Sequence, residues 1–374
     1  MARRALARVN LGAIERNVAL LKRGLRGGAQ LWAVVKADAY GHGAVPVASA
    51  ALRGGAGGLA VATAEEAAEL RGGGVQAPIL VMGAISEAEL PVALRAGAEL
   101  VAWDERFLDQ LARSAKAPVR IHVKLDTGMG RLGTRERSEA LAIAGRALAA
   151  GSQLELAGAM THFATADDDP EYLAAQLDRF TPFVAELRER SPTIVAHAAN
   201  SAATLREPGS HLDLVRCGIA IYGCDPMHED PDRHRLEPAL ELSSYVAAVK
   251  LARAGDSAGY GRRFIAPADT WIATLPIGYA DGIRRALSDN CEVLIAGRRY
   301  PLVGAVSMDN ITVALGARPS VEVGAPAVLI GRQGVQRQTA EQLARRIGTI
   351  SYEVLCGISA RVPRLYHRDG EPLA

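Results

Sequence analysis

A lysine directly follows the first strongly apolar run of the chain, where a strand is expected to end. The stretch AVVKADAYGHG places Lys36 after Val34 and Val35 and ahead of several polar and aromatic residues. A lysine in such a position often only reaches into solvent. If it is instead partly desolvated beside other cations, its pKa falls and its amine becomes a nucleophile, as Schiff-base chemistry requires. The stretch therefore raises the possibility of a reactive amine.

Other polar side chains with chemical potential occupy the same kind of position. Each lies in or just after a later apolar run, and the set comprises Lys124, His162, His197 and Arg216. Because the carboxyl ends of parallel strands meet at one edge of a sheet or at one mouth of a barrel, these groups are expected to converge.

Two loops near residue 200 have the features of an anion site. HAANSAAT places Asn200 and Ser201 after one apolar run, and VRCGIAIYG places Gly218 and Ile219 after the next. Loops that follow the last two strands of a barrel often bind phosphate through free backbone N–H groups. An ordinary polar turn, with Ser201 as a helix cap, is the alternative.

The stretch KLDTGMGRLG contains a glycine pattern that also occurs in dinucleotide sites. Gly128, Gly130 and Gly133 have G-x-G-x-x-G spacing after an apolar run. The signal is weak because the pattern follows the fifth run instead of opening a domain, and because Lys124 and Arg131 flank it. A nicotinamide oxidoreductase stays open as an alternative function.

The elements that must position these groups are visible as eight short apolar runs separated by helical patterns. The runs are 31–35, 59–62, 79–82, 100–103, 119–123, 154–160, 194–198 and 212–215. This alternation predicts an α/β fold, an N-terminal (β/α)8 TIM-type barrel, with a doubly wound sheet as the competing arrangement. The barrel is favoured because the unusual polar residues fall at the ends of several different strands.

After about residue 235 the pattern changes to short β-type runs between Gly, Pro and Asp turns, with one helical patch near 339–347. We therefore predict two domains, a barrel over 1–235 and a mostly-β C-terminal domain over 236–374. Tyr260, Tyr279, Met308 and Asp309 lie in the second domain. Taken alone, tyrosines in such a domain usually pack with the hydroxyl at the surface.

The composition is that of an ordinary globular protein. There are 43 basic and 41 acidic residues, with no basic segment of the kind that binds nucleic acid. No run approaches the length of a membrane span, and the amino terminus lacks a signal-peptide pattern. The four cysteines have no metal-ligand spacing, so neither a metal site nor a disulfide framework is expected. The expected location is the cytoplasm.

The ordered motifs resemble those of the alanine racemase family over nearly the whole chain. They are AVVKADAYGHG, VKLDTGMGRLG, THFATAD, HAANSA, VRCGIAIYG, GYGRRF, IGYADG, SMDN and SYEVLCGISARVPRLY. The resemblance implies an enzyme that interconverts L-alanine and D-alanine with pyridoxal 5'-phosphate (PLP). In a bacterial source it would supply D-alanine for peptidoglycan.

The resemblance also implies roles for individual residues. Lys36 would hold PLP covalently, and Lys36 and Tyr260 would be the two catalytic acid/base groups, on opposite faces of the cofactor. Arg216 would face the pyridine nitrogen and His162 would lie beside the ring. The phosphate would be bound by Tyr40, Ser201, Gly218, Ile219 and Tyr352. Lys124, His197, Asn200, Tyr279 and Asp309 would support the site.

Substrate binding and assembly follow from the same resemblance. Arg131 and the backbone N–H of Met308 would receive the substrate carboxylate, and Lys124 matches a lysine that is carbamylated in many members. The family is a homodimer with shared sites, so Tyr260 would act on the partner chain. The chain departs from the family at Ala305 and Ser307, where arginine and cysteine are common, which puts substrate breadth in doubt.

Three other functions are compatible with a PLP-binding barrel. The nearest is a racemase of another small amino acid such as serine, with the same chemistry and a different pocket. A basic amino acid decarboxylase uses a similar barrel, and a PLP carrier is a shorter, barrel-only relative.

Overall fold

The computed structural model describes residues 3–318 and 321–372. These residues form two compact units. The first unit comprises Ile14–Ala39 and Ala44–Ile221, and the second comprises the residues up to Ala13, Tyr40–Gly43 and the chain from Tyr222 onward. The chain enters through strand β1 (Leu6–Asn10) and helix α1 (Leu11–Arg23).

The first unit is a closed parallel barrel, which confirms the predicted fold. Its strands, in hydrogen-bonded order, are β2 (Gln30–Val34), β3 (Gly58–Val61), β4 (Ile79–Val81), β5 (Glu99–Ala102), β6 (Val119–Lys124), β7 (Leu154–Met160), β8 (Val195–His197) and β9 (Leu214–Cys217). β9 pairs with β2 to close the ring. Parallel strands covered on both faces read as continuous apolar runs, which is why the sequence pattern located all eight.

Helices connect the barrel strands. They are α2 (Lys36–Gly41), α3 (Ala44–Arg53), α4 (Ala64–Gly72), α5 (Leu90–Arg95), α6 (Glu105–Ser114), α7 (Arg137–Ala149), α8 (Pro170–Arg190) and α9 (Ser201–Arg206). Helix α4 begins with a full capping box, in which the Thr63 side chain accepts from the Glu66 N–H and the Glu66 carboxylate accepts from the Thr63 N–H. In the described part of the chain, no helix is both long and apolar enough to cross a membrane.

The second unit is mostly β, as predicted. Its strands beyond β1 are β10 (Leu240–Tyr245), β11 (Ala248–Ala252), β12 (Ser257–Ala258), β13 (Phe264–Ile265), β14 (Thr270–Leu275), β15 (Glu292–Ile295), β16 (Arg298–Pro301), β17 (Ile311–Gly316), β18 (Pro326–Gln333), β19 (Gln336–Gln338), β20 (Arg364–Arg368) and β21 (Glu371–Pro372). Its helices are α10 (Ala340–Arg346) and α11 (Ser351–Cys356). The main sheet has the order β16-β15-β18-β10-β1-β20-β21.

The two units divide the chain differently from the predicted limits of 1–235 and 236–374. Strand β1 pairs antiparallel with β10 and parallel with β20, so the first strand of the chain belongs to the sheet of the second unit. The second unit also begins at Tyr222, ahead of the predicted boundary. The reason is physical: the amino-terminal strand finds its backbone partners more than 200 residues away, and local patterning does not report such pairings.

The turn after β2 is a left-handed helical turn built almost entirely from residues with a Cβ. Ala37, Asp38, Ala39 and Tyr40 have φ between 52° and 54°, and Gly41 continues at 79°. Left-handed helical geometry costs an L-residue about 1–2 kcal/mol. Carboxylate side chains help to hold the turn, because Glu66 Oε1 accepts from the Ala37 N–H at 2.6 Å and Asp38 Oδ1 accepts from the Ala44 N–H at 2.8 Å. Such strain is typical of a functional segment.

Relieving this strain at the exposed Ala37 is expected to stabilise the protein. Ala37→Gly should raise the free energy of unfolding by about 1 kcal/mol, because glycine adopts a positive φ without steric cost. Urea unfolding measures the change. The matched control is Ala142→Gly, on the exposed face of right-handed helix α7, which should lower stability by about 1 kcal/mol. Equal destabilisation by both substitutions would contradict the assigned strain.

Candidate active site

The polar residues predicted to converge do lie at the carboxyl ends of the barrel strands. Lys36 follows the end of β2 by two residues, and His162 follows the end of β7 by two. Lys124 and His197 are the last residues of β6 and β8. In a barrel of this kind these ends form one mouth, and active sites are built there.

Arg216, the third residue of β9, is buried at the centre of this group. Its Nη1 donates to His197 Nδ1 at 2.6 Å. Its Nη2 donates to the carbonyls of Thr161 and Ala198 at 2.9 and 3.0 Å and lies 3.2 Å from His162 Nδ1. Burial lowers the pKa of Arg216 to about 10, so the guanidinium still carries its charge at neutral pH. It is fixed on both Nη atoms.

One donor of this guanidinium is left over. Among the described residues, none accepts a hydrogen bond from Nε of Arg216, although the atom is buried. A buried, unsatisfied N–H costs about 1–3 kcal/mol, more when the group is charged. An orphaned charged donor in a fixed orientation is therefore evidence for an acceptor atom supplied by a bound molecule.

His162 and His197 are held in their neutral forms. Burial and the positive charge of Arg216 are the two main reasons that the pKa of each ring lies well below its usual value. Lys124, Arg131 and Lys36 add to the effect at His162, in that order. The barrel mouth is thus a cluster of cationic groups around two neutral imidazoles, and it favours an anionic ligand.

Lys124 is a buried amine of the site with a lowered pKa. The side chain is buried, and burial followed by the charges of Arg216 and Arg131 lowers its pKa to about 8. The negative charge of Asp126 raises the Lys124 pKa and offsets part of this decrease. Arg131 itself is exposed. The structure therefore brings the charges of Arg131 and Arg216 within electrostatic reach of Lys124.

The two predicted phosphate loops meet. Ser201 Oγ accepts hydrogen bonds from the backbone N–H groups of Gly218 at 2.9 Å and Ala220 at 3.3 Å, and Ile219 lies between them. The helix cap of α9 is Asn200, whose side chain accepts from the Ala203 N–H at 3.0 Å. Ser201 is therefore not the cap, and its hydroxyl joins the two loops.

The glycines of KLDTGMGRLG form a loop around a carboxylate. The backbone N–H groups of Gly128 and Gly130 donate to Asp126 Oδ1 at 3.1 and 3.0 Å. A Cβ at Gly133 would lie 3.0 Å from the Asp126 backbone nitrogen and 3.2 Å from Cγ of Lys124. The three glycines thus allow a tight return of the chain beside Lys124, which accounts for their spacing without a dinucleotide.

Tyr40 and Tyr352 lie together in the second unit. Their ring centroids are 5.8 Å apart, and Tyr222 stacks on Tyr40 with centroids 4.9 Å apart. Burial raises the pKa of the Tyr40 hydroxyl, with a smaller contribution from Cys356. The hydroxyl is therefore a neutral hydrogen-bond donor at physiological pH. Tyr222 was not predicted as a site residue, and only its place in VRCGIAIYG pointed to it.

The predicted residues of the mostly-β domain lie on adjoining loops. The Tyr279 N–H donates to the carbonyl of Ser307 at 3.0 Å, and the Ala280 N–H to that of Met308 at 3.1 Å. A Cβ on Gly259 would lie 3.3 Å from the Ala305 nitrogen, which places the Tyr260 loop against the same segment.

These loops present large side chains to the surface of the chain. Tyr260 is 73% exposed, Met308 51% and Tyr279 43%. Asp309 accepts a hydrogen bond from Arg361 Nη2 at 2.7 Å, which fixes the end of the Met308 turn. Exposure of this size on ordered loops favours a role in an interface.

A buried chain of hydrogen bonds behind Arg216 was missed. His122 in β6 and Glu99 in β5 continue from His197 into the barrel. In the sequence, His122 alternates with apolar residues in VRIHVK and reads as an ordinary strand residue. Only the charge of Glu99, at the start of the short apolar run ELVA, was a possible signal.

Family models match both parts of the chain. The alanine racemase N-terminal domain matches residues 9–226, and the alanine racemase C-terminal domain matches residues 239–366. Among curated relatives, the alanine racemase of Symbiobacterium thermophilum is 43% identical over 365 residues, covering 96% of each chain. Alanine racemase 1 of Bacillus subtilis is 40% identical, covering 97% of this chain and 93% of its own length.

Solved structures agree with this match. The crystal structure of alanine racemase from Bacillus anthracis with bound L-Ala-P has a TM-score of 0.92 at 39% identity and covers 100% of this chain and 97% of that one. The structure of alanine racemase from E. faecalis has a TM-score of 0.91 at 37% identity, with 98% of each chain covered.

Proposed function

Since the chain belongs to the alanine racemase family, we propose that it interconverts L-alanine and D-alanine with PLP as its cofactor. In this proposal, two side chains of the protein carry the proton to and from Cα. The observation that carries the proposal is the buried Arg216, fixed on both Nη atoms with Nε left over. This donor fits a ring nitrogen that accepts a hydrogen bond.

The residues present fit PLP in charge and in donor type. Lys36 at the cationic mouth supplies the amine for covalent attachment. The phosphate would be held by Ser201 and the backbone of Gly218 and Ile219, together with the hydroxyls of Tyr40 and Tyr352. His162, held neutral, would lie beside the ring. When bound, PLP supplies an electron sink that stabilises negative charge at Cα.

Arg216 decides how strong that sink is. A guanidinium is only a donor, so Arg216 Nε would leave the pyridine nitrogen of bound PLP unprotonated and would make the ring a weaker electron sink. Negative charge at Cα would then be stabilised only weakly, which would favour return of the proton to Cα over other positions. This favours racemisation over side reactions such as transamination.

Racemisation needs one proton carrier on each face of the substrate. We assign Lys36 Nζ to one face and the Tyr260 hydroxyl to the other. In one direction Lys36 takes the proton from Cα and Tyr260 returns one, and in the reverse direction the roles exchange. The positions of both residues in family motifs, and their acid/base side chains, support this assignment.

The substrate carboxylate would be received by Arg131 and the backbone N–H of Met308. Tyr279 and Asp309 support this turn through the contacts described above. Ala305 and Ser307 stand where the family often has arginine and cysteine, so the entrance differs in size and charge. That difference is the one observation that favours a racemase of another small amino acid, such as serine.

Measured kcat/KM values for L-alanine, L-serine and L-lysine test the substrate assignment. Alanine is expected to be the best substrate. A higher kcat/KM for serine would move the assignment to that amino acid, and release of carbon dioxide from lysine would point to a decarboxylase.

We further propose a homodimer in which Tyr260 serves the site of the partner chain. The exposed loops that carry Tyr260, Tyr279 and Met308 support this, because large ordered side chains at a surface favour an interface. The cytoplasm is the expected location, and in a bacterium the product D-alanine would be used for peptidoglycan.

Carbamylation of Lys124 is the expected state of this side chain. Carbon dioxide adds only to a neutral amine, forming an N–C bond and releasing a proton. With a pKa of about 8, the amine is mostly neutral at pH 9, and only about 1% neutral at pH 6. After incubation with 13C-bicarbonate, the 13C NMR spectrum should contain a carbamate signal at pH 9 that is strongly reduced at pH 6.

The resulting negative charge would position Arg131 for the substrate. The exposed Lys116 is the matched control, and Lys116→Arg should leave the signal unchanged while Lys124→Arg removes it. A plain amine in crystal density at pH 9, together with an absent signal, would reject carbamylation.

A further inference from the structure

A continuous chain of buried hydrogen bonds runs from Arg216 through the barrel to a carboxylate. His197 Nε2 lies 2.8 Å from His122 Nδ1, and His122 Nε2 lies 2.7 Å from Glu99 Oε2. Arg120 Nε then donates to Glu99 Oε1 at 3.0 Å. The members lie on β9, β8, β6 and β5, and Glu99, His122, His197 and Arg216 are all buried.

The direction of every hydrogen bond in this chain is determined by its ends. Arginine can only donate, so His197 Nδ1 must accept and the proton of the neutral ring lies on Nε2. That proton is donated to His122 Nδ1, so His122 in turn carries its proton on Nε2. The final acceptor must be Glu99. An apolar side chain or a donating N–H group at position 99 would leave the His122 Nε2 proton without an acceptor.

The charge state of Glu99 agrees with this direction. Burial raises the pKa of its carboxyl group, but the hydrogen bond from His122 and the contacts with Arg120 act against burial, and the pKa is lowered. The carboxylate is therefore ionised. A carboxylate that accepts from an imidazole raises the basicity of the other ring nitrogen, and successive hydrogen bonds strengthen one another.

The barrel is shaped to admit this chain. His122 is paired with Gly158 of β7, and the register of the two strands shifts between Ile121 and His122. A Cβ at Gly158 would meet His122 Nδ1, the atom that accepts from His197, and would lie 2.7 Å from the Val195 carbonyl. Barrel interiors are normally filled with Val, Ile and Leu. The glycine, the register shift and the four buried polar residues therefore indicate that this hydrogen-bonded chain serves a specific role.

We propose that Glu99 and His122 are positioning residues for Arg216, which act by delivering the negative charge of Glu99 through two imidazoles to the guanidinium. The expected effect of these residues on turnover rests on the proposed function, since Arg216 would be the group facing the cofactor. The expected effect of Glu99 on the protons of His122 and His197 is independent of any cofactor or substrate.

Substitutions at Glu99 test the chain in the purified full-length protein. In Glu99→Leu the Nε2 protons of His122 and His197, observed by 1H–15N NMR, should shift upfield because their hydrogen bonds weaken. Glu99→Gln keeps an acceptor oxygen without the charge and should shift them less. The matched control is Glu155→Gln, since Glu155 contacts the same Arg120 but is exposed and outside the chain. It should leave both signals unchanged.

Kinetics provide the second readout. Glu99→Leu should lower kcat about 10- to 100-fold with little change in KM, which is the usual effect of removing a residue that orients an active-site group. Glu99→Gln, which keeps an acceptor oxygen but not the charge, should recover only part of the activity.

The outcomes separate this inference from the function itself. Unchanged His197 signals in Glu99→Leu, or a kcat of Glu99→Leu equal to that of Glu155→Gln, would overturn the positioning role. If the unmodified protein does not racemise alanine, the proposed function fails, and the NMR shifts still decide whether the chain transmits the charge of Glu99.

Discussion

Replacing Lys36 by alanine will abolish alanine racemisation while leaving the fold intact. The substitution removes both the amine that would attach the cofactor and one of the two proton carriers, so kcat should fall by at least about 10⁴-fold, the upper range for one acid/base group. The side chain lies at the end of a strand and is only half-buried, so its loss removes little packing. Polarimetry with L-alanine measures the loss, and circular dichroism reports the fold.

The exposed Lys116 offers a matched control for this substitution. It follows helix α6 on the surface, and Lys116→Ala should racemise at the rate of the unmodified protein. Racemisation by Lys36→Ala within tenfold of that rate would show that another group supplies the amine.

Replacing Tyr260 by phenylalanine will lower kcat in both directions by about 10²- to 10⁴-fold, because one face of the substrate loses its proton carrier. The hydroxyl belongs to a largely exposed side chain, so its removal should not affect stability. Tyr245→Phe, at the end of β10 in the same unit, is the control that removes a hydroxyl elsewhere. A kcat for Tyr260→Phe equal to that of Tyr245→Phe would exclude Tyr260 as a proton carrier.

Mixing the two inactive variants tests whether the site is shared. A mixed dimer of Lys36→Ala and Tyr260→Phe chains has one site with both substitutions and one with neither. Random mixing makes about half of the dimers mixed, so about a quarter of all sites contain both residues. About a quarter of the activity of the unmodified protein should therefore return. No recovery in mixtures that demonstrably contain mixed dimers would place Lys36 and Tyr260 of one chain in the same site.

The barrel and its mouth were predictable because both depend on local patterns. Strands covered on both faces read as apolar runs, and the polar residues that end them, such as Lys36 and Arg216, stand out against those runs. The link between Ser201 and Gly218 followed from loop order. The roles of Tyr260 and Met308 came from resemblance alone, because an exposed tyrosine has no distinguishing local pattern.

Other features depend on contacts that local patterns do not report. Strand β1 belongs to a sheet whose other strands begin at Leu240. In the left-handed turn, Ala37, Asp38 and Ala39 occupy positions where glycine would be expected. The amino-acid sequence therefore does not indicate the backbone strain of this turn. Glu99 and His122 become neighbours only when the barrel closes.

The central claim, racemisation of alanine by two proton carriers, is tested most directly with pure L-alanine in deuterium oxide. The D-alanine formed early is expected to carry deuterium at Cα, while the remaining L-alanine still carries protium, because the proton leaves on one face and solvent deuterium is delivered on the other. NMR of Cα together with resolution of the enantiomers measures both. Unchanged L-alanine with PLP bound would contradict racemisation, and equal deuteration of L- and D-alanine from the start would contradict separate carriers.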